Sequence, residues 1–249
     1  MERLLEATAQ AERHHFWFRG FRRFVAPLIA LAVEGRPAPR VLDCGFGTGT
    51  NFAMLEERAR AFGVELEPAG VSLARRAGHT RIARATVTAL PVPDASFDLA
   101  TSFDVLYCLP EPAESDAIAE MFRVLRPGGH AIVNVVALGV LRGNHSILSG
   151  ELRRYTRREL RERLERGGFE IRRLTYTNAV LLPVMLPVRI GQQLAGLHMP
   201  EGPITETTVP PWPVNVALTA ALSAEAALAR WVDMPVGSSL LCLARKPER

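Results

Sequence analysis

Between residues 40 and 136, short apolar runs alternate with stretches whose apolar positions recur every three or four residues. The first pattern predicts buried strands and the second predicts amphipathic helices. Residues 40–43, 61–65, 97–101 and 130–136 read as strands, with a weak one at 81–85. Residues 51–60, 68–77 and 113–125 read as helices, the last placing Ile118, Met121, Phe122 and Leu125 on one face. Pro127-Gly128-Gly129 is expected to stop that helix. Such alternation predicts a parallel sheet with helices on both faces.

The flanks are less regular. Residues 1–34 read as helix, with Leu4, Leu5 and Ala9 on one face and a dense aromatic patch from His14 to Phe21. A breaker cluster follows at 35–39. Thr156 and Glu159 have capping-box spacing, opening a helix with Leu160 and Leu164 inward that Gly167-Gly168 ends. Residues 169–175 and 239–245 read as strands. Between them, 179–199 is apolar, proline-punctuated and irregular, 200–213 is a proline-rich loop, and 214–231 is a helix.

The 249 residues suit one sizeable domain. With 48% apolar and 22% charged residues, the chain is no disordered, collagenous or coiled-coil protein. Thirty cations face 26 anions, and only Lys246 is a lysine. A net charge of +4 over this length is a weak field for nucleic acid. The arginine-rich run at 153–173 carries interspersed glutamates, as a solvated face does. Cys44, Cys108 and Cys242 show no metal-site or disulfide-framework spacing, so no metal is expected and a reducing cytoplasm is the natural compartment. The N-terminus has no apolar signal core. The most apolar stretch, 179–188, holds two prolines and is shorter than the roughly 20 residues a membrane helix needs.

Chemistry concentrates after the first strand. Asp43, Gly45, Gly47 and Gly49 alternate with other residues between a strand and a helix. Open α/β sheets bind ligands at such carboxyl strand ends. Glycines there let backbone approach a ligand and tolerate positive φ. The dinucleotide spacing G-x-G-x-x-G fails, since residue 50 is threonine, and no Gly-Lys-Ser/Thr occurs. Asp43 suits an ammonium or another donor rather than a pyrophosphate. Glu65, 22 residues on at the second strand's end, can accept both hydroxyls of a ribose. A ligand with an amino-acid head, a ribose and an adenine fits this pair.

These residues resemble the class I S-adenosylmethionine-dependent methyltransferases. Residues 41–49 look like the first motif and Gly63-Val64-Glu65-Leu66-Glu67-Pro68 like the second-strand acid segment. Residues 90–98 resemble the LPFPDxSFD segment of the small-molecule branch, and 123–129 its RVLKPGG helix end. His15 to Gly20 looks like an N-terminal lid signature of one subgroup, and Arg153 to Thr156 and Pro235 to Leu240 like its later segments. The resemblance implies an α/β, Rossmann-like fold: a seven-stranded, mostly parallel sheet with an antiparallel last strand and helices on both faces. It implies an N-terminal helical lid at 1–34 and a single methyltransferase domain at 35–249, with an insertion at about 176–235 over the substrate side. S-adenosyl-L-methionine is the implied cofactor. Asp43, Cys44, Gly45, Phe46, Gly47 and Gly49 would line its methionine part. Glu65 would take the ribose hydroxyls, Leu66, Thr86 and Val87 the adenine, and Phe103 would border the sulfonium. Trp17 would cover that sulfonium by cation–π contact and Arg19 would meet the carboxylate.

The acceptor side departs from the family pattern at Cys108, Ser146 and Glu151, where histidine-aspartate or histidine is common. His145 leads the candidates for a general base, with Tyr155 and His15 behind it. The aromatic patch also reads as an ordinary amphipathic helix docked on the core. The apolar stretch at 179–199 suits the roof over an apolar or aromatic small-molecule acceptor, or a dimer face. The expectation is therefore methyl transfer to oxygen, nitrogen or carbon of a small molecule by a monomer or homodimer. A nucleic-acid methyltransferase is the first rival, opposed by Thr101-Ser102-Phe103-Asp104 where an N/D-P-P-Y/F tetrad should stand. A silent or non-methylating cofactor-binding protein is the second. A nicotinamide dehydrogenase is the weakest, because its glycine spacing is absent.

Overall fold

Seven strands form one sheet in the order β3-β2-β1-β4-β5-β7-β6. They are β1 (Arg40–Cys44), β2 (Arg60–Glu65), β3 (Ile82–Arg84), β4 (Phe97–Phe103), β5 (Leu125–Val136), β6 (Glu170–Thr177) and β7 (Ser239–Arg245). The structure is a computed structural model and describes residues 2–198 and 208–248. β1 runs parallel to β2 and β4, and β4 parallel to β5. β7 runs antiparallel to both β5 and β6. The strand order reverses between β1 and β4, which opens a crevice at their carboxyl ends.

Alternation along the strands builds two cores. Leu42, Val64 and Phe97 join Met121 of α5 (Glu111–Val124) and Leu160 and Leu164 of α7 (Arg157–Arg166) on one face. Val41, Ala61 and Leu99 face the other way, against Phe52 of α3 (Phe52–Glu56) and Val71 of α4 (Pro68–Arg76). The same core takes Phe24 and Ile29 of α2 (Phe16–Ala32) and Leu222 of α9 (Trp212–Leu228). α2 and α9 run side by side in the same direction. The Phe16 amide donates to Asn215 Oδ1 at 2.8 Å, and a Cβ on Gly20 would stand 2.5 Å from Leu222 Cδ1. Thr156 and Glu159 do form the capping box that opens α7.

The elements depart from the sequence reading at several places. The N-terminal helix is two: α1 (Glu2–Ala11) and α2 are separated where His15 turns extended, its Nδ1 accepting from the Trp17 amide. α3 stops at Glu56, because Arg60 already donates to the Pro39 carbonyl at 2.7 Å as β2 begins. Pro127-Gly128-Gly129 lies inside β5 rather than between elements. It forms a bulge where the β4–β5 register shifts, with Gly128 at φ +73. The stretch expected to be irregular holds α8 (Leu182–Leu194), a helix with no buried residue. Pro183 falls in its first turn, where a missing N–H goes unnoticed, and only Pro187 interrupts the ladder. Residues 199–207 of the expected loop lie outside the described residues. No described helix is long and apolar enough to cross a membrane.

Candidate cofactor and acceptor site

The glycine turn leaves β1 at the switch point. Gly45 holds φ +87, and a Cβ there would lie 2.4 Å from Val105 Cγ2. Only glycine satisfies both the torsion and the approach. That contact also presses the turn against the segment leaving β4. The Gly45 and Phe46 amides both donate to the Val64 carbonyl, at 2.9 and 3.2 Å. Gly47, at φ +57, has open space above it, with Leu5 of α1 the nearest group at 3.8 Å from a built Cβ. Its amide donates to Glu65 Oε2 at 2.8 Å, while Glu65 Oε1 accepts from the Glu67 amide at 2.8 Å. Cys44 is buried at the strand end, and burial pushes its thiol well up, so it lines the turn as a neutral group.

Asp43 is the electrostatic centre. It is 1% exposed. Its Oδ1 accepts from Thr101 Oγ1 at 2.7 Å, and its Oδ2 is buried with no hydrogen-bond partner. Burial, opposed by the Thr101 bond and reinforced by nearby Glu65, pushes its carboxyl up to about 7. A buried acceptor with an empty valence next to a second carboxylate asks for a cationic or donor-rich ligand. An amino-acid ammonium and a ribose diol meet that demand. Leu66 is 56% exposed just beyond Glu65, as a residue flanking a planar base should be. Thr86 and Val87 follow β3, whose end is tied to Glu65 by the Ala85 amide at 3.1 Å. Thr86 Oγ1 pairs with Thr88 Oγ1 at 2.8 Å, and Val87 is buried. The chemistry of these residues thus fits the ammonium, ribose and adenine groups of S-adenosylmethionine.

The N-terminal helices close over this turn. Glu12 is buried and accepts from Thr48 Oγ1 at 2.5 Å and from Thr50 Oγ1, clasping α1 to the glycine turn. Burial raises its pKa despite these bonds. Phe21 meets Phe103 edge-to-face at 5.1 Å, which connects α2 to the carboxyl end of β4. Trp17 packs half-buried on the same core. Arg19 is half-buried beside it and pairs with no carboxylate among the described residues. His15 is 4% exposed, caps α2 and stacks on Phe16, and burial lowers its pKa.

Beyond β4 lies a polar cluster. Tyr155 is buried and donates its hydroxyl to Glu114 Oε1 at 2.8 Å, and burial and Glu114 raise its pKa. Glu114 also pairs with Arg153 and with Arg163, the latter at 2.9 Å. Arg154 grips Glu151 through two bonds of 2.7 and 2.9 Å and reaches Ser146 Oγ and the Ala137 carbonyl. Cys108 Sγ donates to the Ser149 carbonyl at 3.3 Å. Three positions where the chain departs from the family pattern are thus tied into the scaffold. His145 sits half-buried in α6 (Asn144–Leu148), the short helix that contributes Ser146 to this cluster.

The sequence reading passed over Asp104. It adopts φ +61, in the left-handed region, immediately after β4. Asn134 Nδ2 of β5 donates to its Oδ1 at 2.9 Å. The residue as a whole is exposed at the carboxyl end of β4, while its carboxyl is desolvated by the protein around it. That burial, opposed by Asn134 and reinforced by Glu151, pushes its carboxyl up to about 7. It adjoins Val105, the residue that Gly45 packs on, so it stands at the mouth of the glycine turn.

A methyltransferase-domain family model matches residues 42–133. A relative from Mycolicibacterium smegmatis, named a probable S-adenosylmethionine-dependent methyltransferase, is 32% identical over 68% of this chain and 64% of its own. Demethylmenaquinone methyltransferase of Thermus thermophilus is 35% identical over 42% of this chain and 50% of its own. The chain belongs to the class I S-adenosylmethionine-dependent methyltransferases. Its matches span about half to two-thirds of the length of these two relatives. Among solved structures, the [4+2]-cyclase SpnF superposes with a TM-score of 0.59 at 25% identity, covering 90% of this methyltransferase-family chain and 80% of the cyclase.

Proposed function

We propose that this protein transfers the methyl group of S-adenosylmethionine to a small organic acceptor. The observation that carries the reading is the buried Asp43, its Oδ2 unpartnered beside Glu65 and the glycine turn. When bound, the cofactor supplies an electrophilic methyl on a sulfonium sulfur. Asp43 would receive the ammonium end, Glu65 the ribose, and Leu66, Thr86 and Val87 the adenine. Phe103, Phe21 and Trp17 would wall the sulfonium from water, and Arg19 would meet the carboxylate. The enzyme's main task is alignment, since in-line displacement gains most from a fixed geometry.

An acceptor that must lose a proton needs a base near neutral pKa. Asp104 meets that requirement in the crevice, and it replaces His145 as the first candidate for that role. Its left-handed backbone is the kind of local strain that functional sites hold. Tyr155 and His15 serve Glu114 and the α2 cap instead. The half-exposed apolar residues of α8 and its flanks favour an apolar or aromatic acceptor, handled by a monomer or homodimer in the cytoplasm. A non-methylating cofactor-binding protein is the second reading, favoured by the likeness to the SpnF cyclase.

Calorimetric titration with S-adenosylmethionine and, separately, NADH tests the cofactor assignment. Micromolar binding of the first alone is the expected result, and binding of NADH alone would overturn it. A panel of phenols, quinols and amines then tests turnover. Asp104→Asn should lower turnover by about 10²–10⁴-fold with cofactor affinity kept. If His145→Ala causes that loss and Asp104→Asn does not, the base is His145.

A further inference from the structure

A cleft of about 630 Å³ opens between α2, α3 and α9, on the outer side of the core that α2 and α9 cover. Its floor is small and apolar, made by Ala26, Pro27 and Ala30 of α2 and by Ala226 and Ala227 of α9. Its rim carries Arg22, Arg23, Arg58 and Arg230 against a single carboxylate, Glu57. α2 itself has no acidic residue. Elsewhere some arginines are paired, as Arg36 and Arg126 are with Asp98 and Arg154 is with Glu151, while others on the surface, such as Arg13 and Arg75, stand without an ion pair among the described residues. Among the described residues, Arg23, Arg58 and Arg230 form no ion pair. Arg22 is fixed on the inner wall by its bond to the Glu12 carbonyl at 2.8 Å. Four guanidinium groups over an apolar floor suit a phosphate carried on a greasy body, because the guanidinium fork matches phosphate oxygens bidentately.

A second observation identifies the source of that phosphate. α2 and α9 run parallel, so their carboxyl ends emerge together at the end of the cleft. There Leu31, Leu228 and Trp231 are 54%, 52% and 86% exposed, with Val232 beside them. One exposed leucine needs no explanation, but a tryptophan and two leucines next to unpaired arginines do. Tryptophan settles at the bilayer interface, with its ring among acyl chains and its N–H in water. A soluble phosphate ester would use the arginines and leave these apolar groups in water. RNA would use the arginines, but the alanine floor offers no ring for base stacking.

We propose that this cleft docks the protein on the surface of an anionic phospholipid bilayer, with a lipid phosphate among Arg23, Arg58 and Arg230 and Trp231 in the interface. The crevice at the carboxyl ends of the strands stays at the other end of α2 and faces away from the docked edge. No described helix needs to cross the bilayer for this.

Vesicle flotation of the full chain tests the proposal. The probes are vesicles of phosphatidylcholine alone and of phosphatidylcholine with 30% phosphatidylglycerol, at about 0.1 M salt. The protein should float with the anionic vesicles and stay behind with the neutral ones. Each arginine near such a surface contributes a factor of about five. R58E/R230E should therefore lower partitioning by at least about 25-fold, and W231A should lower it without changing its salt dependence. The side chains of these residues hold no described hydrogen bond, and they lie outside the cofactor turn. Unchanged melting and unchanged S-adenosylmethionine titration would show that both variants are folded. Equal partitioning of wild type and R58E/R230E would overturn the proposal. So would stabilisation by inorganic phosphate, or capture of a short RNA, without vesicle binding. None of these failures would touch the methyl-transfer reading, which rests on Asp43.

Discussion

Asp43→Asn should make the unliganded protein more stable at alkaline pH and impair it as a cofactor-binding protein. The folded-state carboxyl sits at about 7 against an ordinary 3.8. The folded chain therefore keeps a proton that the unfolded chain releases above about pH 4. Stability from this group is fully present below pH 3.8 and is lost as pH rises towards 7. Integrating between pH 4.5 and 8 gives a loss of about 3 kcal/mol attributable to Asp43 alone. Asparagine has no such titration and can still accept the Thr101 bond. Its amide is itself unpartnered in the pocket, which costs about 1–3 kcal/mol at every pH. The diagnostic quantity is thus the difference between variant and wild type, followed with pH. Urea unfolding at pH 4.5 and pH 8 should show the variant gaining about 3 kcal/mol on the wild type, roughly 6–12 °C in melting temperature. Titration at pH 8 should show cofactor affinity reduced at least about tenfold, or about 1.4 kcal/mol. A variant-minus-wild-type difference that is the same at both pH values would refute the assignment of a buried, cation-seeking carboxylate.

Gly45→Ala should both destabilise the fold and remove cofactor binding, since φ is +87 and the new methyl would meet Val105 Cγ2 at 2.4 Å; a normal titration would refute the close approach. Glu65→Ala should weaken cofactor binding at least about tenfold in the same titration while leaving the melting temperature within a few degrees. Glu114→Gln should lower stability by about 3–5 kcal/mol in urea, because Arg153 and Arg163 lose their buried partner, and a loss below 1 kcal/mol would show the network to be solvated.

The strands, the glycine turn and the Thr156–Glu159 cap were legible in the sequence because each is dictated by neighbours in the chain. A buried parallel strand needs an apolar run, a turn at φ +87 needs glycine, and a cap needs its acceptor three residues from its glutamate. Asp43 and Glu65 were legible for the same reason, each lying at the end of a strand that the pattern marks. α8 was misread because proline was taken as a breaker wherever it fell, although in a first turn it breaks nothing. The Pro127-Gly128-Gly129 bulge was misread because its role depends on β4, across the sheet. The acceptor side was the least legible part. Asp104 acquires its raised pKa from burial of its carboxyl, opposed by Asn134, 30 residues away, and reinforced by Glu151. Tyr155 donates its hydroxyl to Glu114, 41 residues away, and burial and that carboxylate raise its pKa. A histidine or tyrosine looks like a base in one dimension because its intrinsic pKa or hydroxyl is visible there. Whether it acts as one depends on which partner the fold brings to it. In this chain the fold gives Tyr155 a buried carboxylate and leaves Asp104 facing the crevice, so the acceptor's proton should go to a residue whose own sequence context carried no such signal.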